Sequence, residues 1–265
     1  MTAEISGDAR LGAGDRLLYL ACNLGRNLAG FAPRVATRAC PGVPRAGRGM
    51  SPARLYSDHF LDTVLPLLEP RCSLDVLEIG CGSGSLCGRL ARLGFSGRYT
   101  GLDIGDRFDH AIVPGFEKQF ILADATTWAP ADRFDLIVSV SALEHIPDDV
   151  RVIAQARTWL RSGGLQVHIV PSGWGLPLYL WHGYRQYPRR AIGARFSSGA
   201  VVYRLGGALS FLVHFLFITT GEMLLRLPVR RRWAGFYDRL LAACRADASL
   251  GCVPANLYAV VERAP

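Results

Sequence analysis

Residues 76–84 read VLEIGCGSG and place a short apolar run directly before a turn that contains three glycines. The apolar run is typical of a buried strand. Residues 85–94, SLCGRLARLG, continue with leucines at helical spacing and end in glycine. Glycine lets a backbone turn sharply and lets a ligand approach it closely. The stretch therefore predicts a strand, a ligand-binding turn, and a helix whose amino terminus faces that ligand.

Four more short, apolar and β-prone runs follow, at residues 99–103, 119–123, 135–140 and 165–170. A helical pattern at 149–161 separates the last two runs. Strands that alternate with helices imply parallel pairing, right-handed crossovers and helices on both faces of the sheet. We therefore expect an α/β protein with a doubly wound, mostly parallel sheet.

Three carboxylates stand at or just beyond the ends of successive predicted strands. Glu78 precedes the glycine turn, Asp103 closes the second strand 19 residues after Gly84, and Asp124 follows the third strand. Ligands bind at this edge of such sheets. A dinucleotide fingerprint would need glycine or alanine where Ser85 stands, and the Glu78 carboxylate would repel a pyrophosphate. The charge pattern favours a cationic nucleoside.

The ordered motifs VLEIGCGSG, LDIG, LADAT, FDLIVSVSALEHIPD and LRSGGLQVHIV resemble those of class I S-adenosylmethionine-dependent methyltransferases, over about residues 74–170. The resemblance implies a Rossmann-like methyltransferase sheet of seven strands, the last of which, at 256–262, runs antiparallel. It also implies S-adenosyl-L-methionine as the cofactor. The residues expected to hold that cofactor are Glu78, Gly80, Cys81, Gly82, Gly84, Asp103, Ile104, Asp124, Ala125 and Ser139.

Part of this set is implied to hold the methionine portion. Glu78 and the three glycines shape its pocket, and Cys81 fills a small position in the turn. Ser139, at the end of the fourth strand, lies near the methionyl chain. An alternative for Glu78 is to cap the helix or to pair with an arginine.

The rest of the set is implied to hold the nucleoside. Asp103 binds the ribose, and Ile104 beside it contacts the adenine. Asp124 and Ala125 flank the adenine ring. An alternative for Asp124 is to cap a short helical segment within ADATTW.

His145 is the candidate catalytic residue. It lies in LEHIPD just beyond the fourth strand, and a histidine has a pKa suited to removing the proton of a hydroxyl acceptor. The alternative is that His145 packs or bonds within its loop, because similar motifs occur in relatives with different acceptors. His182 is a second candidate.

We expect transfer of a methyl group to a small-molecule, lipid or glycan acceptor, with oxygen as the target; the alternative is a catalytically silent, methyltransferase-like binding module.

Aromatic side chains crowd the start of the segment that follows the fifth strand: Trp174, Tyr179, Trp181, Tyr184 and Tyr187. They are suited to form walls for an apolar acceptor; the alternative is ordinary packing of a lid on the core. Arginines 185, 189, 190 and 195 in the same segment suit an anionic acceptor or a solvated surface.

The chain divides into an N-terminal apolar and basic segment with a linker at 1–52, a cofactor-binding core at 53–170, an insertion at 171–255, and a final core strand at 256–265. The insertion is expected to be a substrate lid or a membrane interface. Its residues 205–221 carry no charged side chain, and arginines follow as far as 232. A buried or dimerising helix, a helix on a membrane surface and a spanning helix all remain open for this stretch.

Composition narrows the partners of this 265-residue chain. Half of its residues are hydrophobic, which excludes wholesale disorder, and its 30 basic and 22 acidic residues give a net charge of +8. Residues 139–142, SVSA, lack the signature of base-amino methylation, so no nucleic acid partner is expected.

Seven cysteines without a CxxC pair indicate reduced thiols and no metal site. We expect a cytoplasmic protein, or one that lies on the inner face of a membrane; the oligomeric state stays open.

Overall fold

A computed structural model of the chain describes residues 12–28, 35–179, 182–250 and 254–265. Within these residues, eight strands form one sheet. The strands are β1 (Thr37–Ala39), β2 (Ser73–Ile79), β3 (Ser96–Asp103), β4 (Phe116–Leu122), β5 (Phe134–Val140), β6 (Leu160–Pro171), β7 (Val201–Leu205) and β8 (Leu257–Arg263).

The strand order is β1-β7-β8-β6-β5-β2-β3-β4. Strand β8 runs antiparallel to both β6 and β7, and every other neighbouring pair is parallel. The mostly parallel sheet and its antiparallel last strand are therefore confirmed.

The expected count of seven strands is wrong by one. The additional strand is β1, which pairs in parallel with β7, Thr37 opposite Val202. Without it, β7 would present an unpaired row of backbone donors and acceptors, which a sheet edge tends to cover.

Helices lie before and between the strands of the described chain. They are α1 (Ala13–Leu28), α2 (Pro52–Thr63), α3 (Leu65–Leu68), α4 (Ser85–Arg92), α5 (Asp149–Trp159), α6 (Arg189–Arg195), α7 (Ala208–Val213), α8 (Val229–Arg232), α9 (Ala234–Ala243) and α10 (Asp247–Leu250). A π-helix, His214–Leu224, continues α7.

The sheet is buried on both faces, as the doubly wound arrangement requires. Val76 of β2 and Val138 of β5 belong to the core on one face, together with residues of α2, α4 and α9. The adjacent residues Leu77 of β2 and Ile137 of β5 point to the other face, where they pack with Ile153 of α5. Because residues of both parities are buried in β2 and β5, these central strands are buried almost throughout rather than at alternate residues.

The apolar stretch 205–221 is not one continuous α-helix. It contains the end of β7, the short helix α7 and most of the π-helix. Among the residues with described positions, no helix combines the length and apolarity that a bilayer crossing demands.

Candidate active site

The glycine turn after β2 has the backbone that only glycine adopts readily. Gly80 has φ +72° and Gly84 has φ +77°. A Cβ on Gly80 would lie 2.4 Å from the Cβ of Ala142, and one on Gly84 would lie 2.5 Å from the Phe120 ring. The turn is therefore packed against the loop that follows β5 and against β4, with no room for a larger residue at either position.

Asp103 is fastened to this turn. Its Oδ2 accepts the backbone N–H of Gly82 at 2.8 Å, and its Oδ1 accepts that of Gly105 at 2.8 Å. The carboxylate is mostly buried. Each oxygen has a further lone pair, so the same carboxylate can still accept hydrogen bonds from a diol.

Glu78 lies buried beneath the turn. The Tyr99 hydroxyl donates a hydrogen bond to its Oε2. Burial, and then the negative charge of Asp103, raise the pKa of Glu78 to about 8, while the Tyr99 hydrogen bond opposes the shift. A cation bound beside this carboxyl group would lower its pKa and favour the ionised form. The hydrogen-bond partner of Glu78 is therefore Tyr99 and not an arginine. The sequence analysis did not identify Tyr99 as part of the site.

The ends of β3 and β4 bring the third acid to the same edge of the sheet. Asp103 pairs with Leu122 in the strand register, and its carbonyl accepts the N–H of Ala123. Asp124 itself is exposed, and its Oδ1 accepts both the N–H and the hydroxyl of Thr126 at 2.8 Å. These hydrogen bonds lower the pKa of Asp124. The side chain of Asp124 thus closes a local turn. Glu78 and Asp103, by contrast, interact electrostatically, because the charge of Asp103 raises the pKa of Glu78.

The two apolar residues assigned to the adenine differ in environment. Ile104 follows Asp103 and is 80% exposed, whereas Ala125 is buried. The loop after Ile104 folds back over the glycine turn, since the N–H of Asp109 donates to the Ser83 carbonyl at 3.1 Å. Phe108 in that loop stacks on Phe120 with ring centroids 4.6 Å apart. No sequence pattern pointed to this cover.

Ser139 lies fully buried at the end of β5. Its Oγ is 2.7 Å from Nδ1 of His168, whose Nε2 is 3.0 Å from Oε1 of Gln166. Ser139 follows Val138, which lies opposite Glu78 in the register, so its side chain lies on the other face of the sheet from Glu78. Burial lowers the pKa of His168 to about 3. His168 is thus a core histidine.

His145 closes a short 3₁₀ turn, Leu143–His145, just after β5. Its ring lies across from the ring of His182, with centroids 4.5 Å apart and planes nearly perpendicular. The buried carboxylate of Glu144 completes a group whose three ligand atoms lie within 4.8 Å of one another. The sequence predicted no metal site, and 37 positions separate the two histidines, so only the fold brings them together.

The aromatic and arginine residues of the insertion are mostly structural where they are described. Tyr187 is buried and donates its hydroxyl to Asp149 at 2.8 Å. Arg185 is 2% exposed and pairs with the same carboxylate at 2.8 Å, so it is neither solvated nor open to an acceptor. Trp174 is exposed, and Trp181 lies outside the described residues.

A doubly wound sheet with a glycine turn and an acid at the next strand end is the arrangement of α/β proteins that bind ligands at the carboxyl ends of their strands. The chain belongs to the methyltransferase domain family, whose model matches residues 22–197. That match extends beyond the motifs at both ends.

Curated relatives match the core of the chain. The ubiquinone biosynthesis O-methyltransferase of Paramagnetospirillum magneticum is 32% identical over 104 residues, which cover 37% of this chain and 41% of the relative. The trans-aconitate 2-methyltransferase of Streptomyces avermitilis is 29% identical over 134 residues, which cover 46% and 50%. The matched region thus spans half or less of these relatives' length.

A solved methyltransferase structure shares the fold across nearly the whole chain. Coclaurine N-methyltransferase, solved with N-methylheliamine and S-adenosylhomocysteine (SAH), aligns over 93% of this chain and 80% of its own. The TM-score is 0.50 and the identity 15%. This likeness confirms the methyltransferase fold.

Proposed function

We propose that this protein transfers a methyl group from S-adenosyl-L-methionine to a hydroxyl oxygen of a small-molecule acceptor. The observation that carries the proposal is the junction of two acids at one glycine turn, in a chain of the methyltransferase family. Glu78 is buried beneath that turn and accepts a hydrogen bond from Tyr99. Asp103 accepts the backbone N–H of Gly82, within the turn, at 2.8 Å. The O-methyltransferases among the curated relatives favour oxygen as the target.

Each proposed cofactor contact follows from the chemistry of the group it meets. The carboxylate of Glu78 suits the cationic amino acid part, and that of Asp103 suits the two ribose hydroxyls. Adenine lies against Ile104, Asp124 and Ala125. The methionyl chain runs along the turn, past Cys81, toward the end of β5 at Ser139.

The acceptor approaches from the loop that follows β5. Its oxygen attacks the methyl carbon in line with the sulfur, so the new C–O bond forms as the C–S bond breaks. The electron pair of the broken bond stays on sulfur, and the acceptor loses its hydroxyl proton. His145, which lies beside His182, is the residue proposed to assist that loss.

Two measurements test this function in sequence. Isothermal titration of the purified chain with SAH measures cofactor binding, and absence of binding by folded protein would refute the proposal. Isotopically labelled S-adenosyl-L-methionine is then incubated with the protein and a small-molecule extract, and labelled products are read by mass spectrometry. Binding without any labelled product would refute methyl transfer.

We also propose that the insertion rests on an anionic membrane surface. Eight large apolar side chains there are each between 46% and 60% exposed: Leu212, Leu216, Met223, Leu224, Leu225, Leu227, Trp233 and Phe236. Arginines 226, 231, 232 and 239 are exposed in the same segment. Exposed apolar groups next to cations suit the boundary between acyl chains and anionic headgroups.

Vesicle sedimentation tests the membrane proposal. We expect the protein to bind vesicles that contain phosphatidylglycerol, and the double substitution R231E/R232E to weaken binding by about tenfold or more, at ~1 kcal/mol for each arginine. R45E/R92E changes the charge equally at exposed arginines outside the segment. Equal loss in both variants, or equal binding to neutral vesicles, would contradict the proposal.

A further inference from the structure

Glu144, His145 and His182 form a compact group of potential metal ligands. Their ligand atoms lie within 4.8 Å of one another, and the carboxylate is 1% exposed. Two imidazoles and one carboxylate are a donor set that first-row divalent cations bind well. We propose that these three residues bind a divalent transition-metal ion of the Zn²⁺ type and leave part of its coordination sphere open.

The separations are close to those of a bound site. Bonds of 2.0–2.2 Å in tetrahedral geometry put ligand atoms about 3.4 Å apart, so closure of the group requires shifts of roughly an ångström. Changes in side-chain torsion supply shifts of this size. A cation bound beside the Glu144 carboxylate would also lower the cost of burying its charge.

The two segments that carry the ligands are locked to each other. The N–H of Tyr184 donates to the Glu144 carbonyl at 2.7 Å, and Arg185 donates to the Ile146 carbonyl at 2.6 Å. At Gly183 a Cβ would lie 2.8 Å from the Glu144 carbonyl oxygen, so the segments touch. The side-chain amide of Asn23 in α1 donates to the Gly183 carbonyl at 2.9 Å. Such support fixes ligands in advance, as metal sites need.

The group borders the proposed cofactor turn. Ala142 lies two residues before Glu144 and packs against Gly80, where a Cβ would meet it at 2.4 Å. An ion bound here could take an acceptor oxygen as a further ligand and promote loss of its proton to solvent. His145 would then act as a ligand of the ion, in place of the role as a base proposed above. This role rests on the proposed function; binding of the ion does not.

Cobalt titration tests the site without any turnover. Protein freed of metal with a chelator is titrated with Co²⁺, and visible absorption bands report nitrogen and oxygen ligands; Zn²⁺ competition then gives its affinity. We expect one ion per chain, and a dissociation constant raised at least tenfold by His145→Ala, His182→Ala or Glu144→Gln. His110→Ala, at an exposed histidine with no ligand role, should leave binding unchanged. Equal binding by the wild type, H145A and H182A would overturn the proposal.

SAH titration of the same variants separates the two proposals. Circular dichroism first establishes folding, and the near-isosteric Glu144→Gln tests the site if a histidine variant fails to fold. Retained SAH binding without a specific cobalt site would overturn only the metal inference. A specific cobalt site without SAH binding would support the metal inference and refute the proposed function.

Discussion

The Oδ2 atom of Asp103 accepts the backbone N–H of Gly82 at 2.8 Å. The acid that ends β3 is therefore part of the turn that ends β2. This bond orients the carboxylate and limits how far the turn can open. In the proposed site, binding of a nucleoside diol and the position of the methionine pocket are therefore coupled through one side chain.

Replacing Asp103 tests that coupling. We expect Asp103→Ala to raise the SAH dissociation constant by at least tenfold, because the variant loses a charged acceptor and a fastening bond of the turn. Isothermal titration measures the change. Asp132→Ala removes an exposed acid that pairs with Arg98 and serves as the control, with an expected change below twofold. Unchanged affinity in Asp103→Ala would contradict the proposed ribose site.

The turn and its neighbours were predictable because they are local. The apolar run at 76–79, the glycines and the leucine spacing lie within 20 residues, and α4 begins at Ser85 as expected. Strand β1 was not predictable, since its three residues, Thr-Arg-Ala, carry no apolar pattern and pair with a strand more than 160 positions away. Its existence depends on the open edge of β7.

The acids of the site were identified from strand ends, but not their partners. Tyr99 reads as one more apolar strand residue, and nothing in the sequence places its hydroxyl on Glu78. Arg185 likewise reads as a surface cation, whereas Asp149 holds it in the interior. Such pairings join distant parts of the chain, so they emerge only with the tertiary structure.

Ionisation of Glu78 makes stability depend on pH. The pKa of this carboxyl rises from 4.5 to about 8 on folding, because burial disfavours the charged form. The stability gained by keeping the proton is complete below pH 4.5 and is lost as pH rises through 8. At ~1.4 kcal/mol for each pKa unit the loss has an upper limit of about 5 kcal/mol. Urea unfolding between pH 5 and pH 9 measures it against Glu78→Gln, which stays neutral; parallel curves would contradict the shift.

The same carboxyl should couple cofactor binding to proton release. A cationic amino group beside Glu78 favours the carboxylate, so SAH binding at pH 7 is expected to release a proton from it. Titration in two buffers with different ionisation enthalpies gives the number released. Glu78→Gln should bind SAH at least tenfold more weakly and release fewer protons than the wild type. Equal proton release in both proteins would exclude Glu78 as the source.

A methyl group at Gly80 should damage both fold and binding. Gly80→Ala adds left-handed strain of about 1–2 kcal/mol and a clash with Ala142 worth a further ~1–3 kcal/mol. Gly94 has φ +88° and nothing within 4 Å of an added Cβ, so Gly94→Ala carries the strain alone. Urea unfolding should rank Gly80→Ala as the less stable variant, and SAH titration should show weakened binding for it alone. Equal losses would show that the contact with Ala142 yields readily.

The buried ion pair between Arg185 and Asp149 should contribute more to the free energy of unfolding than the more exposed pair between Arg195 and Asp149. The two side chains are 2% and 3% exposed and lie 2.8 Å apart. Arg185→Ala would leave a buried carboxylate with fewer partners and would free three loop carbonyls, so we expect a loss of about 3 kcal/mol. Arg195 pairs with the same carboxylate at 2.8 Å but is more exposed, and its bonds do not reach that loop.

Arg195→Ala is therefore the matched control, with an expected loss of about 1 kcal/mol. Urea unfolding of both variants at pH 7 gives the comparison. Because Arg185 also ties the loop of Glu144 and His145 to the segment of His182, its loss should weaken cobalt binding as well, whereas Arg195→Ala should not. If Arg195→Ala cost as much stability as Arg185→Ala, the shared carboxylate rather than the loop contacts would account for the effect.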